Sequence, residues 1–245
     1  KNYFLINKEI MKKKILVTGG TGFIGFNLLK KLSKFNFQLY SLSTKMPSKG
    51  KRLKNVNYII SDISKKKTLS KKINKKFNIV INLGGYVNHS KKIKTLSTHF
   101  NGCKNLFNAI KKNNHLKLFI QIGSSLEYGN NKSPHKEKSN CNPKSYYGLA
   151  KYKATNFLIE QKSKVNFPII IIRLYQVYGP HQKENRLIPY VIKSCLQNIK
   201  FDCTSGKQIR NFMHVDDFSN FILKILNKKN INSDVINLGS ENSIK

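Results

Sequence analysis

The segment SYYGLAK, Ser145 to Lys151, places two adjacent tyrosines shortly before a lysine. On a helix, residues four apart share a face, so Tyr147 meets Lys151 while Tyr146 meets Ala150. Tyr147 is therefore the candidate for chemistry. An ammonium beside a phenol favours the phenolate and draws its pKa from about 10 toward the range of an acid/base catalyst. The same spacing also occurs on plain solvated helix faces, so the chemistry needs support from the rest of the chain.

Support comes from the turn after the first apolar run. There VTGGTGFIG spaces Gly19, Gly22 and Gly25 three apart and leads into a helical pattern that starts with Phe23 and Ile24. Glycines so placed permit a sharp turn, close approach of the backbone to a pyrophosphate, and tight packing of helix on strand. The helix N-terminus then faces the anion. This pattern predicts a dinucleotide site.

Apolar runs at 14–17, 37–42, 56–60, 79–83, 116–122 and 167–174 read as strands, and helical patterns lie near 23–35, 64–75, 91–113 and 145–163. Runs such as PIIIIRL indicate strands buried on both faces, with the helices supplying the crossovers. The expected fold is α/β, a Rossmann-type doubly wound parallel sheet with helices on both faces and a small C-terminal substrate-binding part. At 245 residues the chain can bury one substantial core. Residues 11–175 form the expected dinucleotide-binding domain and 176–245 a partial substrate-binding region interleaved with the last sheet strands. Met11 followed by KKKILVTGG reads as a start, which makes 1–10 an added extension, and VINLGSENSIK reads as a strand, a turn and an opening helix. A chain truncated there is expected to bind dinucleotide but to support little turnover.

The formal charge of +35 raises the question of nucleic acid. Only four of the 46 basic residues are Arg (Arg52, Arg173, Arg186 and Arg210), and the lysines are scattered over the whole length. Base recognition draws on Arg forks, so the excess reads as the lysine bias of an AT-rich genome, and no nucleic-acid partner is expected. Cys103, Cys141, Cys195 and Cys203 show no metal-ligand spacing and read as reduced thiols, with no metal. The longest apolar run, Phe167 to Ile172, is far too short to span a membrane, and nothing has the form of a signal peptide. A cytoplasmic protein without a membrane partner is expected.

Further motifs follow in order: SDI at 61–63, INLGG at 81–85, GSSLEYG at 123–129, YGLAK at 147–151, RLYQVYGP at 173–180, NRLIPYVI at 185–192 and RNFMHVDDF at 210–218. With TGGTGFIG, they make the chain resemble, from about residue 12 onward, the extended short-chain dehydrogenase/reductases, the NAD-dependent epimerase/dehydratase family of nucleotide-sugar enzymes. The resemblance implies a catalytic set of Ser124, Tyr147 and Lys151, the serine found by counting back four from Tyr128. Tyr147 would move a proton at a sugar oxygen while hydride is exchanged with the nicotinamide. Lys151 would hold the cofactor ribose, and Ser124 would hydrogen-bond the carbonyl. Asp62 and Ile63 would lie at the adenine, with Leu83, Gly84 and Gly85 along the middle of the cofactor. Arg210 would hold a nucleotide diphosphate, with Asn185 near the same nucleotide and Ser125 and Gln176 at the substrate. A nucleotide-diphosphate sugar is the implied partner, and a homodimer the implied assembly.

Departures from the family pattern narrow the reaction. The 4,6-dehydratases carry Asp-Glu after the Ser/Thr, where this chain has Ser125 and Leu126, so loss of water is not expected. His99 and Gln176 replace two usual asparagines, and His99 also reads as a satisfied, half-buried histidine. The second strand ends in Ser43, Thr44 and Lys45 without a carboxylate, which favours NADP over NAD. The nearest resemblance is to CDP-abequose synthase-like reductases of 4-keto-6-deoxy nucleotide sugars. A UDP-hexose 4-epimerase is the alternative enzyme, and a catalytically silent dinucleotide-binding module the alternative outside enzymes.

Overall fold

The computed structural model describes residues 13–73, 76–86, 88, 91–165, 167–228, 231 and 233–245. The expected extension at 1–10 lies outside these residues, as do Met11 and the last two positions of the helix expected at 64–75.

Nine strands are described: β1 (Lys14–Thr18), β2 (Gln38–Ser43), β3 (Val56–Ile60), β4 (Ile79–Asn82), β5 (Leu118–Ser124), β6 (Ile169–Leu174), β7 (Gln176–Tyr178), β8 (Phe212–His214) and β9 (Val235–Leu238). The helices are α1 (Phe23–Leu32), α2 (Lys66–Lys72), α3 (Lys92–Leu96), α4 (Gly102–Ile110), α5 (Tyr146–Val165), α6 (Leu187–Leu196) and α7 (Val215–Asn227). Seven strands form one sheet in the order β3-β2-β1-β4-β5-β6-β9, parallel throughout, and β7 pairs with β8 in a short second sheet. This is the doubly wound Rossmann-type architecture expected from the sequence. The β6 run IIIIRL is buried at every position, because helices cover both faces of the sheet.

Two apolar layers flank the sheet. On one side Leu28, Leu29 and Leu32 of α1 join Phe218, Ile222 and Ile225 of α7; on the other, Leu69 of α2 joins Leu106 and Phe107 of α4 and Leu158 of α5. The chain builds β1 to β3 outward in one direction and then returns to lay β4 on the other flank of β1. That reversal leaves a crevice at the C-terminal ends of β1 and β4, where doubly wound sheets bind ligands.

The helix expected over 91–113 is interrupted. A wider π turn, Ser97–Asn101, separates α3 from α4. Its extra residue rotates the faces of the two helices relative to each other. The consequence is local to the crevice, because this turn carries His99, which is buried.

Candidate active site

A cleft of about 850 Å³ occupies the crevice. Its floor begins at Gly19, whose φ of +70° continues β1 into the turn at a conformation that L side chains rarely adopt. A Cβ at Gly25 would overlap the Gly19 carbonyl oxygen, so glycine there is what lets α1 close against the turn. Gly22 stands at the N-cap of α1 with no side-chain cap, and the first turn of the helix holds no acidic residue. The first-turn amides of α1 are thus left open for an anion at the cleft. Ser43, at the end of β2, accepts a hydrogen bond from the Thr21 amide at 3.2 Å and ties the second strand to the turn. Asp62 accepts from both the amide and the hydroxyl of Ser64, at 2.9 and 2.7 Å.

Below this floor a chain of buried hydrogen bonds links β4, β5 and α5. Asn82 donates to Gln121 at 2.7 Å, Gln121 donates to the Ile122 carbonyl at 3.0 Å, and Lys151 reaches the same carbonyl at 2.6 Å. Helix α5 can bring the lysine that close because Ala150, Ala154 and Leu158, four apart, form its buried stripe. Two of the three are small. Tyr147, Lys151 and Thr155 form the adjacent stripe toward the strand ends, with Lys151 and Thr155 buried.

Ser124 ends β5 and caps the 3-10 turn Ser125–Glu127: its hydroxyl accepts from the Leu126 amide at 3.2 Å, and its own amide donates to Glu127 at 2.9 Å. The Ser124 side chain also hydrogen-bonds Tyr147. His99 packs edge-on against the Tyr147 ring, centroids 4.9 Å apart and planes at 86°, while its Nε2 lies 3.1 Å from both the amide and the carbonyl of Tyr86. His99, expected as a half-buried histidine, is buried and lines the cleft.

The electrostatics correct the sequence expectation for Tyr147. Burial pushes its phenol up to about 12; the Ser124 hydrogen bond and the Arg186 charge pull downward, and Glu127 adds to the rise. Lys151 is not among these influences. Its Nζ sits 5.7 Å from the Tyr147 ring centre and is committed to the Ile122 carbonyl. The lysine itself is brought down to about 8, chiefly by burial, with Glu127 and then Cys103 acting in the opposite sense. Desolvation outweighs the pairing that helix spacing suggests.

The cleft gathers Gly19, Gly22, Phe23, Ile24, Gly25, Ser43, Thr44, Asp62, Ile63, Leu83, Gly84, Gly85, Ser124, Tyr147, Lys151 and Gln176. It does not gather Lys45, Ser125, Asn185 or Arg210. Lys45 lies one residue past the lining Thr44, and Ser125 opens the 3-10 turn that Ser124 caps. Arg210 is exposed, its backbone bridged to Ile244 and its guanidinium turned to the Ile209 carbonyl. Tyr146, exposed beneath Lys92 at 4.5 Å, packs outside the cleft. The residue beside Asn185, Arg186, lines the cleft together with Lys183. The sequence held one signal for it: an arginine is rare in a chain whose cations are nearly all lysine. Among the described residues no cluster could hold a metal ion, and no helix is long and apolar enough to cross a membrane.

A doubly wound sheet with a glycine-lined cleft at its switch point, edged by Ser, Tyr and Lys, defines a dinucleotide-dependent enzyme of the short-chain dehydrogenase/reductase type. The chain belongs to the NAD dependent epimerase/dehydratase family, matching it over residues 15–239. It is 32% identical over 262 residues to a dTDP-D-glucose 4,6-dehydratase of Dictyostelium discoideum, a match covering 95% of this chain and 59% of that protein's length. It is 30% identical over 223 residues to a CDP-abequose synthase of Salmonella muenchen, over 88% of this chain and 71% of the relative. Among solved structures, a UDP-glucuronic acid 4-epimerase variant of Bacillus cereus, in complex with UDP-4-deoxy-4-fluoro-glucuronic acid and NAD, superposes with a TM-score of 0.83 at 26% identity, covering 94% of this chain and 79% of that one. The uncapped α1 terminus and the glycine cradle fit the dinucleotide that such a family uses.

Proposed function

We propose that this chain reduces the 4-keto group of a 4-keto-6-deoxy nucleotide sugar. The placement of Tyr147 carries the reading: it lines the cleft beside Ser124, held edge-on by His99, and its phenol, pushed up by burial, meets substrate as a proton donor. A carbonyl being reduced needs a proton at its oxygen, which Tyr147 supplies while the Ser124 hydroxyl holds that oxygen in place. Lys151 spends one N–H on the Ile122 carbonyl and keeps two for the cofactor's ribose hydroxyls. When bound, the reduced nicotinamide furnishes the hydride. The positions that would bear an added acid and base for dehydration hold Ser125 and Leu126, and similarity to the Salmonella CDP-abequose synthase agrees with reduction. Arg186 and Lys183 supply cations for the diphosphate at the cleft, a duty the sequence pattern assigned to Arg210.

Epimerisation of a UDP-hexose is the second reading, favoured by the likeness to the Bacillus cereus epimerase. A panel of nucleotide sugars separates the two. Stoichiometric loss of NADPH absorbance with one 4-keto sugar supports reduction. Interconversion of UDP-hexoses without net cofactor consumption would replace it with epimerisation. Cofactor binding with no turnover of any sugar would point to a silent module.

The same cleft supports a preference for NADPH over NADH. The end of β2 presents Ser43 and Thr44, whose hydroxyls can donate to a 2′-phosphate where a carboxylate would repel it, and the carboxylate among the lining residues is Asp62, further along. NADPH is expected to bind more tightly than NADH, and Thr44→Asp to flatten or reverse the order by placing a like charge against the phosphate. Titration of both cofactors by fluorescence checks this, and a clear NADH preference in the unaltered chain refutes it.

A further inference from the structure

The proposed chemistry uses Lys151 as a cation, yet Lys151 is 4% exposed and its described hydrogen bond runs to a neutral carbonyl. Removal from water drives an ammonium toward its neutral form. Something nearby has to oppose that. The charged and titratable groups around it are Tyr147 on its own helix, Cys103 on α4 and Glu127 in the turn after β5. Cys103 is a buried thiol pushed up to about 12 by desolvation, so it brings no charge at neutral pH.

Glu127 is built differently. It is fully buried, and both of its oxygens accept hydrogen bonds from fixed donors: Oε1 from the Ser124 amide at 2.9 Å and Oε2 from Arg173 Nε at 2.9 Å. Acceptance on both oxygens is the pattern of a carboxylate. A Cβ at Gly123 would lie 2.5 Å from Oε1, so the glycine makes room for the carboxylate at the strand end. The carbonyl that holds Lys151 and the amide that holds Glu127 belong to Ile122 and Ser124, two residues apart on β5. The other groups facing Glu127 are Arg173 on β6, Tyr147 on α5 and Cys141 in the loop before α5.

We propose that Glu127 is a positioning residue whose buried carboxylate keeps Lys151 in its charged form and fixes the Ser124 turn, with Arg173 as the counter-ion that holds the carboxylate in place. One group thereby sets the geometry of the serine and the charge of the lysine. The influence of Glu127 on Lys151, upward against burial, has the required sign. Without that charge the chief opposition to desolvation is gone, and the lysine loses its proton at a lower pH.

The inference rests on the role proposed for Lys151, so its test reads the lysine directly and not turnover. Competitive acylation with acetic anhydride across the pH range, resolved at the Lys151 peptide by mass spectrometry, gives the midpoint of its titration, with exposed Lys45 as internal reference. Glu127→Gln is expected to move the Lys151 midpoint down by on the order of one pH unit and to leave Lys45 unmoved. Glu127→Asp, which retains the charge, should restore most of that shift. Should Glu127→Gln fail to fold, the double change Glu127→Gln with Arg173→Gln replaces the ion pair by two neutral amides and gives the same readout. A midpoint that stays put in a folded charge-removing variant overturns the proposal, as does an equal downward shift of the Lys45 midpoint in that variant. A chain that turns over no nucleotide sugar would sink the proposed reduction and leave this result standing.

Discussion

Tyr147→Phe is expected to lower turnover by about 10²–10⁴-fold while cofactor affinity changes little. The substitution removes the hydroxyl proposed to give the proton and keeps the ring, so the edge-on contact with His99 survives. The parallel change Tyr146→Phe is expected to leave turnover nearly intact, since Tyr146 is exposed under Lys92 and does not line the cleft. Measuring kcat and cofactor Kd for both variants discriminates: equal losses at the two positions would overturn the assignment. The pH dependence follows from the same groups. Lys151, brought down to about 8, passes from charged to neutral as pH rises through that value, whereas Tyr147, pushed up to about 12, stays protonated. The pH profile of the proposed reduction should therefore decline on the alkaline side near the lysine midpoint.

Arg173→Leu is expected to destabilise the chain by about 3–5 kcal/mol, because it strands a buried carboxylate. Arg173 donates to Glu127 at 2.9 Å, to the Tyr128 hydroxyl at 2.9 Å and to the Glu137 carbonyl at 3.1 Å, and it stacks over the Tyr128 ring at 4.6 Å. Burial works against its charge, but Glu127 and Tyr128 more than offset that, and the guanidinium pKa is raised. Leucine fills part of the space and satisfies none of these acceptors. A loss of that size is a large share of the ~5–15 kcal/mol that holds a domain folded. Urea unfolding should show a large fall in midpoint for Arg173→Leu. Arg52→Leu should show almost none, because Arg52 is exposed and bonds only to the Pro47 carbonyl among the described residues. Equal midpoints for the two variants would show that the buried pair contributes nothing to stability.

Much of this molecule was legible in short stretches of sequence. The glycines of VTGGTGFIG, the β-branched runs and the four-residue spacing of Tyr147 and Lys151 are local patterns, and each specifies local geometry whatever lies far along the chain. From them follow the doubly wound sheet, the position of the cleft and the tyrosine that faces it. The C-terminal run VINL read as a strand but gave no sign of its partner; only the folded chain sets it beside β6 as the seventh strand. The π turn at Ser97–Asn101 was equally hidden, since a helical period over 91–113 does not reveal one inserted residue. The larger differences are electrostatic. Spacing on α5 suggested that Lys151 would draw the Tyr147 pKa down, yet burial by β5, the π turn and the Ser124 segment pushes it up. Burial is a sum over elements distant in sequence, and no helix period encodes it. For the same reason, Glu127 and Arg173 meet across 46 positions only because β5 and β6 are neighbours, in a register that sets Arg173 opposite Gly123. Arg186 reaches the cleft through the placement of α6, while Arg210, which the motif favoured, lies outside it. Sequence determined which chemistry-bearing residues the cleft could draw upon, and tertiary structure decided their charge and their partners, because those depend on desolvation and long-range contact.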